Sequence, residues 1–364
     1  MSPQRAARLT AALDPRAAAR RAWEAVPAAG QLAVAATAAY CVAHFALGRA
    51  VPLLAITVCL SSLGFVRDAR PRRVLETAFG LSVGVALAEV VLVVAGRGVA
   101  QILIALFVTL LVARALQAPP AIAVAATAQS AIVLLLQLPA GGTWARSVDG
   151  LVGGGMALLA TALLPRDPRH AAQRDADVVF AGLRRAIDDL ARAFRTADPG
   201  AAASSLATLR ALQPAQSDWT TTVDSAVAIA RISPLLHGRL DELRGQRRLV
   251  DGIDLAVRSL RTIARRAEAT LADGRPRPEL AQLVSVIGQV SGLLGRSVRE
   301  PGAAALARRD LVLVAERLDP RVLTPGASVS DAMITVLVRP IVVDLAVAAG
   351  DDAAAVRSRL PVLG

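Results

Sequence analysis

The chain has 364 residues, 54% of them hydrophobic, and a mean hydropathy of +0.51, which is too apolar for an ordinary soluble domain. Its formal net charge is +12, and every basic residue is arginine. The absence of lysine excludes a P-loop GK[ST] motif, a Schiff-base lysine and the ATP-pairing lysine of protein kinases. Aromatic residues make up 3% of the chain and no nucleic-acid reading motif accompanies the charge, so nucleic acid is not an expected partner. Anionic head groups and membrane orientation account for the arginines better.

The apolar excess is concentrated between Gln31 and Pro165. This divides the chain into a cytoplasmic N-terminal segment (1–30), a transmembrane domain (31–165) and a cytoplasmic helical domain (166–364). In the first segment, Asp14-Pro15 reads as an N-cap with proline at the first helical position. The following "RAAARRAWEAV" reads as an interfacial elbow, with arginine on one side and Trp23 and Val26 on the other.

Six stretches are apolar and long enough to cross a bilayer. They lie near 31–48, 50–66, 74–96, 99–116, 119–138 and 147–164, and short loops make neighbours antiparallel. Arginine clusters before span one, after span two (Arg67, Arg70, Arg72 and Arg73) and after span six (Arg166, Arg169 and Arg174). The alternate loops carry only Arg49, Arg97 and Arg146. Both termini are therefore expected on the cytoplasmic side of the cell membrane.

Span three carries two carboxylates. Glu76 follows Arg72 by four residues and Arg73 by three, offsets that place an ion pair on one helix face at the inner end. Glu89 lies 13 residues further, roughly 20 Å along the axis and about 140° around it. An isolated carboxylate at that depth costs at least ~2.5 kcal/mol, so it must be protonated, paired or facing water. His44, near the end of span one, sits at matching depth, which makes a His44–Glu89 contact one expectation. A protonated Glu89 bonded to neighbouring backbone or to a glutamine is the other, and either form is compatible with proton coupling.

Gly80 and Gly84 in span three, and Gly150, Gly153, Gly154 and Gly155 in span six, form small-residue faces for close helix packing. Gln129, with Gln101, Gln137, Thr57, Ser61 and Ser62, either lines a polar path or bonds between helices. Arg114, at the inner end of span four, joins Arg67 to Arg73 and Arg166 in a positive cytoplasmic mouth that attracts anions, or is a plain orientation signal. Cys41 and Cys59 read as small hydrophobes, and His44, His170 and His237 lack ligand spacing, so neither metal nor cofactor is expected.

The segment "LGRAVPLLAITVCLSSLGFVRDARPRRVLETAFGLSVG", with Arg73, Thr77, Gly80 and Gly84, resembles the fusaric-acid-resistance (FUSC) family. So does "RSVDGLVGGGMALLATALLPRDP", with Arg146, Asp149, Gly153 and Pro165. The family also includes aromatic-acid exporters and, more distantly, plant malate channels. The resemblance implies a six-span unit with a cytoplasmic helical domain, organic-anion substrates and, since the unit occurs once in this chain, a homodimer.

Beyond Pro165 the pattern becomes amphipathic. "DVVFAGLRRAIDDLARAF" places Val178, Phe180, Leu183, Ile187, Leu190 and Phe194 near helical spacing. Further helices are expected near 201–213, 218–244, 247–272, 278–297, 302–317 and 331–349, with Pro234 and Pro340 kinking or breaking two of them. "DGRPRP" and "DPRVLTPG" read as loops. The last helix is apolar, but Arg339, Pro340 and Asp344 make it a core helix rather than a seventh span. The fold class is all-α: a six-helix transmembrane bundle followed by a cytoplasmic helical bundle.

No catalytic constellation accompanies these elements, so an enzyme is not expected. Three functions fit: a transporter exporting organic carboxylates, with or without proton coupling; a passive anion channel; and a membrane scaffold that binds partners through its helical domain.

Overall fold

The computed structural model describes residues 15–64, 71–136, 144–163, 169–323, 325–326 and 328–362. Among them the structure is helical, with no strand. Chain contacts divide it into two compact units, Met1–Arg166 with Ala228–Gly238, and Asp167–Val227 with Arg239–Gly364.

In the first unit, α1 (Pro15–Cys41) continues into a π-turn over Val42–Ala46, followed by α2 (Leu53–Leu63), α3 (Pro71–Ala95), α4 (Val99–Ala115), α5 (Pro120–Leu135) and α6 (Ala145–Leu163). The elbow and span one, expected as separate elements, are one helix with Pro27 inside it. Asp14, the expected cap, lies outside the described residues, and Pro15 opens the helix. Among the described residues two helices are long and apolar enough to cross a membrane, Ala25–Ala46 and Pro71–Ala95; α2, α4 and α5 are apolar but shorter.

Alpha-3 packs against both α5 and α6, and α2 packs against α6. Glycine sets these distances. A Cβ on Gly84 would lie 2.6 Å from the Ala126 carbonyl oxygen, and one on Gly153 would lie 2.4 Å from that of Ala55. Side chains would hold both helix pairs apart, so these contacts need hydrogen at the α-carbon. Gly80 and Gly154 meet side-chain atoms at 3.0 and 2.9 Å, whereas Gly150 has room, its nearest neighbour being Ser82 Oγ at 3.7 Å. Gly155, also in the expected stripe, faces open space.

Hydroxyl and amide groups join the same helices. Thr109 and Ser130 hydroxyls lie 2.9 Å apart and Ser130 Oγ donates to the Gly84 carbonyl at 2.7 Å, linking α4, α5 and α3. Thr57 Oγ1 donates to Gln129 Oε1 at 3.1 Å, linking α2 and α5.

The second unit comprises α7 (Arg169–Thr196), α8 (Pro199–Ala211), α10 (Leu240–Thr270), α11 (Pro278–Ser297), α12 (Gly302–Glu316), the short α13 (Pro320–Leu323), α14 (Val329–Ala348) and α15 (Ala353–Arg357). Between α8 and α10 runs α9 (Gln213–Ile232), whose last residues fall in the first unit's contacts. Starts follow local chemistry: Asp198 accepts from Gly200 N with Pro199 next in line, and Ser328 accepts from Asp331 N. On α7, Leu183, Ile187, Leu190 and Phe194 are buried as expected, but Val178 is exposed and Val179 takes the inward position. Val178 stands about 140° around the helix from Leu183, off the inward stripe.

Trp219 is fully buried, with Phe180 edge-on to it at 5.7 Å between ring centres. The chain leaves helix before Pro234, the break expected within 218–244, while Pro340 lies inside α14 without ending it. "DPRVLTPG" contains the helical turn α13 rather than loop alone. Alpha-14 is a core helix, packed along α10 with Ile334, Ile341, Val342 and Leu345 buried.

Candidate functional site: a charged cluster at one end of the apolar unit

The buried charges of the first unit gather where α3, the π-turn and the start of α6 meet. Glu89 is 1% exposed near the end of α3. Its Oε1 accepts from the Arg146 backbone N–H at 3.0 Å and its Oε2 from that of Ser147 at 3.2 Å, and the Ser147 hydroxyl also donates to Oε2. Arg146 and Ser147 are the second and third residues of α6, whose first N–H groups have no partner within their own helix. Glu89 therefore caps a neighbouring helix. Its negative charge lies at the positive end of the α6 dipole, and the carboxylate form supplies acceptors for every donor aimed at it.

The Arg146 side chain performs the reverse task on α5. Its Nη1 donates to the Val133 carbonyl at 2.6 Å and its Nη2 to that of Leu136 at 3.0 Å; Arg97 also donates to Leu136. A guanidinium thus closes the negative end of α5. One turn into α6, Asp149 is buried, and its Oδ1 lies 3.4 Å from Arg49 Nε.

The His44–Glu89 contact does not form. His44 Nδ1 lies 2.6 Å from the Arg49 carbonyl oxygen, with its ring stacked on Tyr40 at 5.3 Å and edge-on to Phe45. Matching depth was the basis for that contact, but depth leaves the azimuth open. The π-turn folds His44 back along its own chain while the α6 donors occupy Glu89.

Other expected residues fall elsewhere. Glu76 pairs with Arg72, Nε to Oε1 at 2.7 Å, as their spacing indicated. Arg73 is exposed in the first turn of α3 and Arg114 in the last turn of α4. The remaining mouth residues Arg67, Arg70 and Arg166, and Gln137, lie outside the described residues. Gln129 serves a helix-to-helix bond. Cys41 and Cys59 are free thiols.

Sequence reasoning treated Arg49 only as an orientation signal, gave Arg146 no partner beyond that and its place in the family resemblance, and passed over Ser147. The available hint was Arg146 and Asp149 three residues apart, in a stretch otherwise apolar enough to be buried.

Among the described residues this unit is all-helical, with many apolar side chains on its outer surface and buried charges at its helix ends. Residues 22–160, which contain this cluster, match the family model described as fusaric acid resistance protein-like. The chain is also similar to an uncharacterized protein of Corynebacterium glutamicum, 26% identical over 242 residues, covering 66% of this chain and 62% of the relative. The chain thus spans less than two thirds of the length of that relative.

Proposed function

We propose that this protein is a multi-pass transporter of the cell membrane that exports organic carboxylate anions, aromatic or aliphatic. In this reading, residues 31–165 cross the bilayer six times, both termini are cytoplasmic, the second unit is a cytoplasmic helical domain, and two copies form the working dimer. The observation that carries it is the pairing of a family match over 22–160 with two long apolar helices whose surfaces are mostly unburied. Val93, Val94, Leu103 and Phe107 are among the outward apolar side chains. Leaving such surface in water costs about 25 cal/mol per Å², whereas lipid accepts it.

Alpha-4, α5 and α6 have 17, 16 and 19 residues, or about 24–29 Å of axis at ~1.5 Å per residue, close to a hydrocarbon core of about 30 Å, whereas the helical part of α2, with 11 residues, reaches about 17 Å. Small mismatch is absorbed by local thinning. Exposed Arg73 and Arg114 supply cationic sites for an approaching anion.

A second reading, a passive anion channel, is favoured by the capping role of Glu89: the carboxylate weighed as a proton-coupling group is occupied by three donors. Flux of labelled benzoate in proteoliposomes, with and without a pH gradient, decides between them. Gradient-dependent flux supports coupled transport and gradient-independent current supports a channel. Absence of flux for any carboxylate tested overturns both and leaves a scaffold. A periplasm-active reporter fused after residue 362 should be inactive if the C-terminus is cytoplasmic.

A further inference from the structure

We propose that the second unit carries a binding site for an amphipathic organic cation, an amine on an apolar body, in the groove between α11 and α12 beside Asp310. Such a site stands independently of the transport reading.

The groove holds about 730 Å³, inside the ~300–1,000 Å³ that small-molecule sites occupy. Helical spacing builds both walls. On α11, Glu279, Leu283, Val286 and Val290 recur every three or four residues, and on α12 Asp310, Val314 and Arg317 do the same. Leu323 of α13 adds to the apolar lining. Leu313 also lines the groove and stays 47% exposed, so apolar surface is left uncovered there.

Polar side chains in the groove are unused by the fold. Among the described residues Glu279, Gln282, Gln289, Asp310 and Arg317 make no side-chain hydrogen bond or ion pair. Other acids of the unit are engaged, such as Asp331 with Arg277 and Glu316 with Arg359. Glu279 lies in the first turn of α11, where the helix dipole favours a carboxylate, and needs no ligand. Asp310 is half-buried in the interior of α12, with neither a helix end nor an ion-paired cation to answer its charge.

Charge sets the ligand class. The connection Val298–Pro301 is short, so α11 and α12 run antiparallel. Counting outward from it, Asp310 stands level with Gln289 and Arg317 with Gln282, seven residues or ~10 Å further along. Glu279 and Arg317 are both exposed, and the long stem of Arg317 lets its guanidinium turn into water. Asp310 has a short stem that holds its charge at the wall. The amide oxygen of Gln289 offers a second acceptor at the same level. An ammonium group there gains charge-assisted hydrogen bonds, while its apolar body covers Val286 and Leu313. An organic anion would meet two carboxylates against one guanidinium.

Phenethylamine binding to the full-length protein in lipid nanodiscs tests this, with the signal of protein-free nanodiscs subtracted and 3-phenylpropanoate as an anion of similar size. Wild type should bind phenethylamine saturably and 3-phenylpropanoate not. D310N should weaken phenethylamine binding about tenfold, the scale of a hydrogen bond to a charged group. V286W fills the groove with the Asp310 charge in place and should abolish binding. A diazirine derivative of phenethylamine should label peptides of α11 and α12, and excess phenethylamine should remove the label. That labelling uses wild type alone, so it decides the site even where a variant fails to fold. Label confined to other parts of the chain overturns the site. Equal binding of amine and carboxylate, unchanged affinity in D310N, or no saturable binding to wild type overturns the proposal.

Discussion

Oε1 of Glu89, on α3, accepts the backbone N–H of Arg146, on α6, at 3.0 Å across 57 residues of sequence. A carboxylate inside an apolar helix is thereby a structural closure between helices. Removing it should orphan two buried N–H groups and a hydroxyl. Glu89→Ala is expected to lower stability by about 1–3 kcal/mol, with Glu89→Gln less damaging because one acceptor oxygen remains. Thermal unfolding in detergent measures both. Equal stability of wild type and Glu89→Ala would refute the capping role.

The small-residue faces make unequal demands. At Gly153 a methyl would sit 2.4 Å from the Ala55 carbonyl oxygen, so backbone must move. Gly153→Ala should cost about 1–3 kcal/mol through overpacking, and Gly84→Ala, at 2.6 Å from the Ala126 carbonyl oxygen, should follow it. Gly155→Ala faces open space and should leave the melting temperature nearly unchanged. If all three behave alike, these contacts do not set the helix spacing.

In the second unit Arg277 is buried between Asp273 and Asp331, donating to both. The Arg277 side chain, and then the Arg275 backbone N–H, hold the Asp273 carboxyl down at about 2. The folded value is below the ordinary 3.8, so the stabilisation is complete above that value and is lost as pH falls through about 2. Asp273→Asn should lower stability at neutral pH and flatten the acid limb of the unfolding curve. Trp219 fluorescence in a chain with Trp23 and Trp144 replaced by phenylalanine reports it; an unaltered acid limb would count against the pair.

Asp344 has the opposite sign. Burial raises its carboxyl above the ordinary range, and Arg357 opposes this only in part. The folded state therefore binds the proton more strongly, and stability falls as pH rises from 3.8 through the raised value. Asp344→Asn should raise the unfolding midpoint at neutral pH and shrink its difference from the acidic midpoint. A lower neutral midpoint in Asp344→Asn would mean that the charge is needed.

The helices of the second unit were legible because their apolar stripe follows the 3.6-residue period: Leu183, Ile187, Leu190 and Phe194 could be read as inward before any packing was known. Val178 was misplaced because one residue of shift turns a side chain by about 100°. Glu76 with Arg72 was legible for a related reason, since both partners lie on one helix and i,i+4 spacing fixes their distance. The charged cluster was not. Glu89 was recognisable as a buried charge in need of a partner, but its partner is the backbone of another helix, and backbone carries no signature in the side-chain alphabet.

The sequence by itself determined that the described residues are built of helices, that apolar residues concentrate between Gln31 and Pro165, and that Glu89 could not lie bare among them. Only the tertiary structure decided that Glu89 closes α6, Arg146 closes α5, and His44 turns away while Arg49 faces Asp149. The reason is geometric. Periodicity and hydropathy are properties of a single helix. The rotation of one helix about its axis relative to the next is set by where glycines such as Gly84 and Gly153 let two backbones meet.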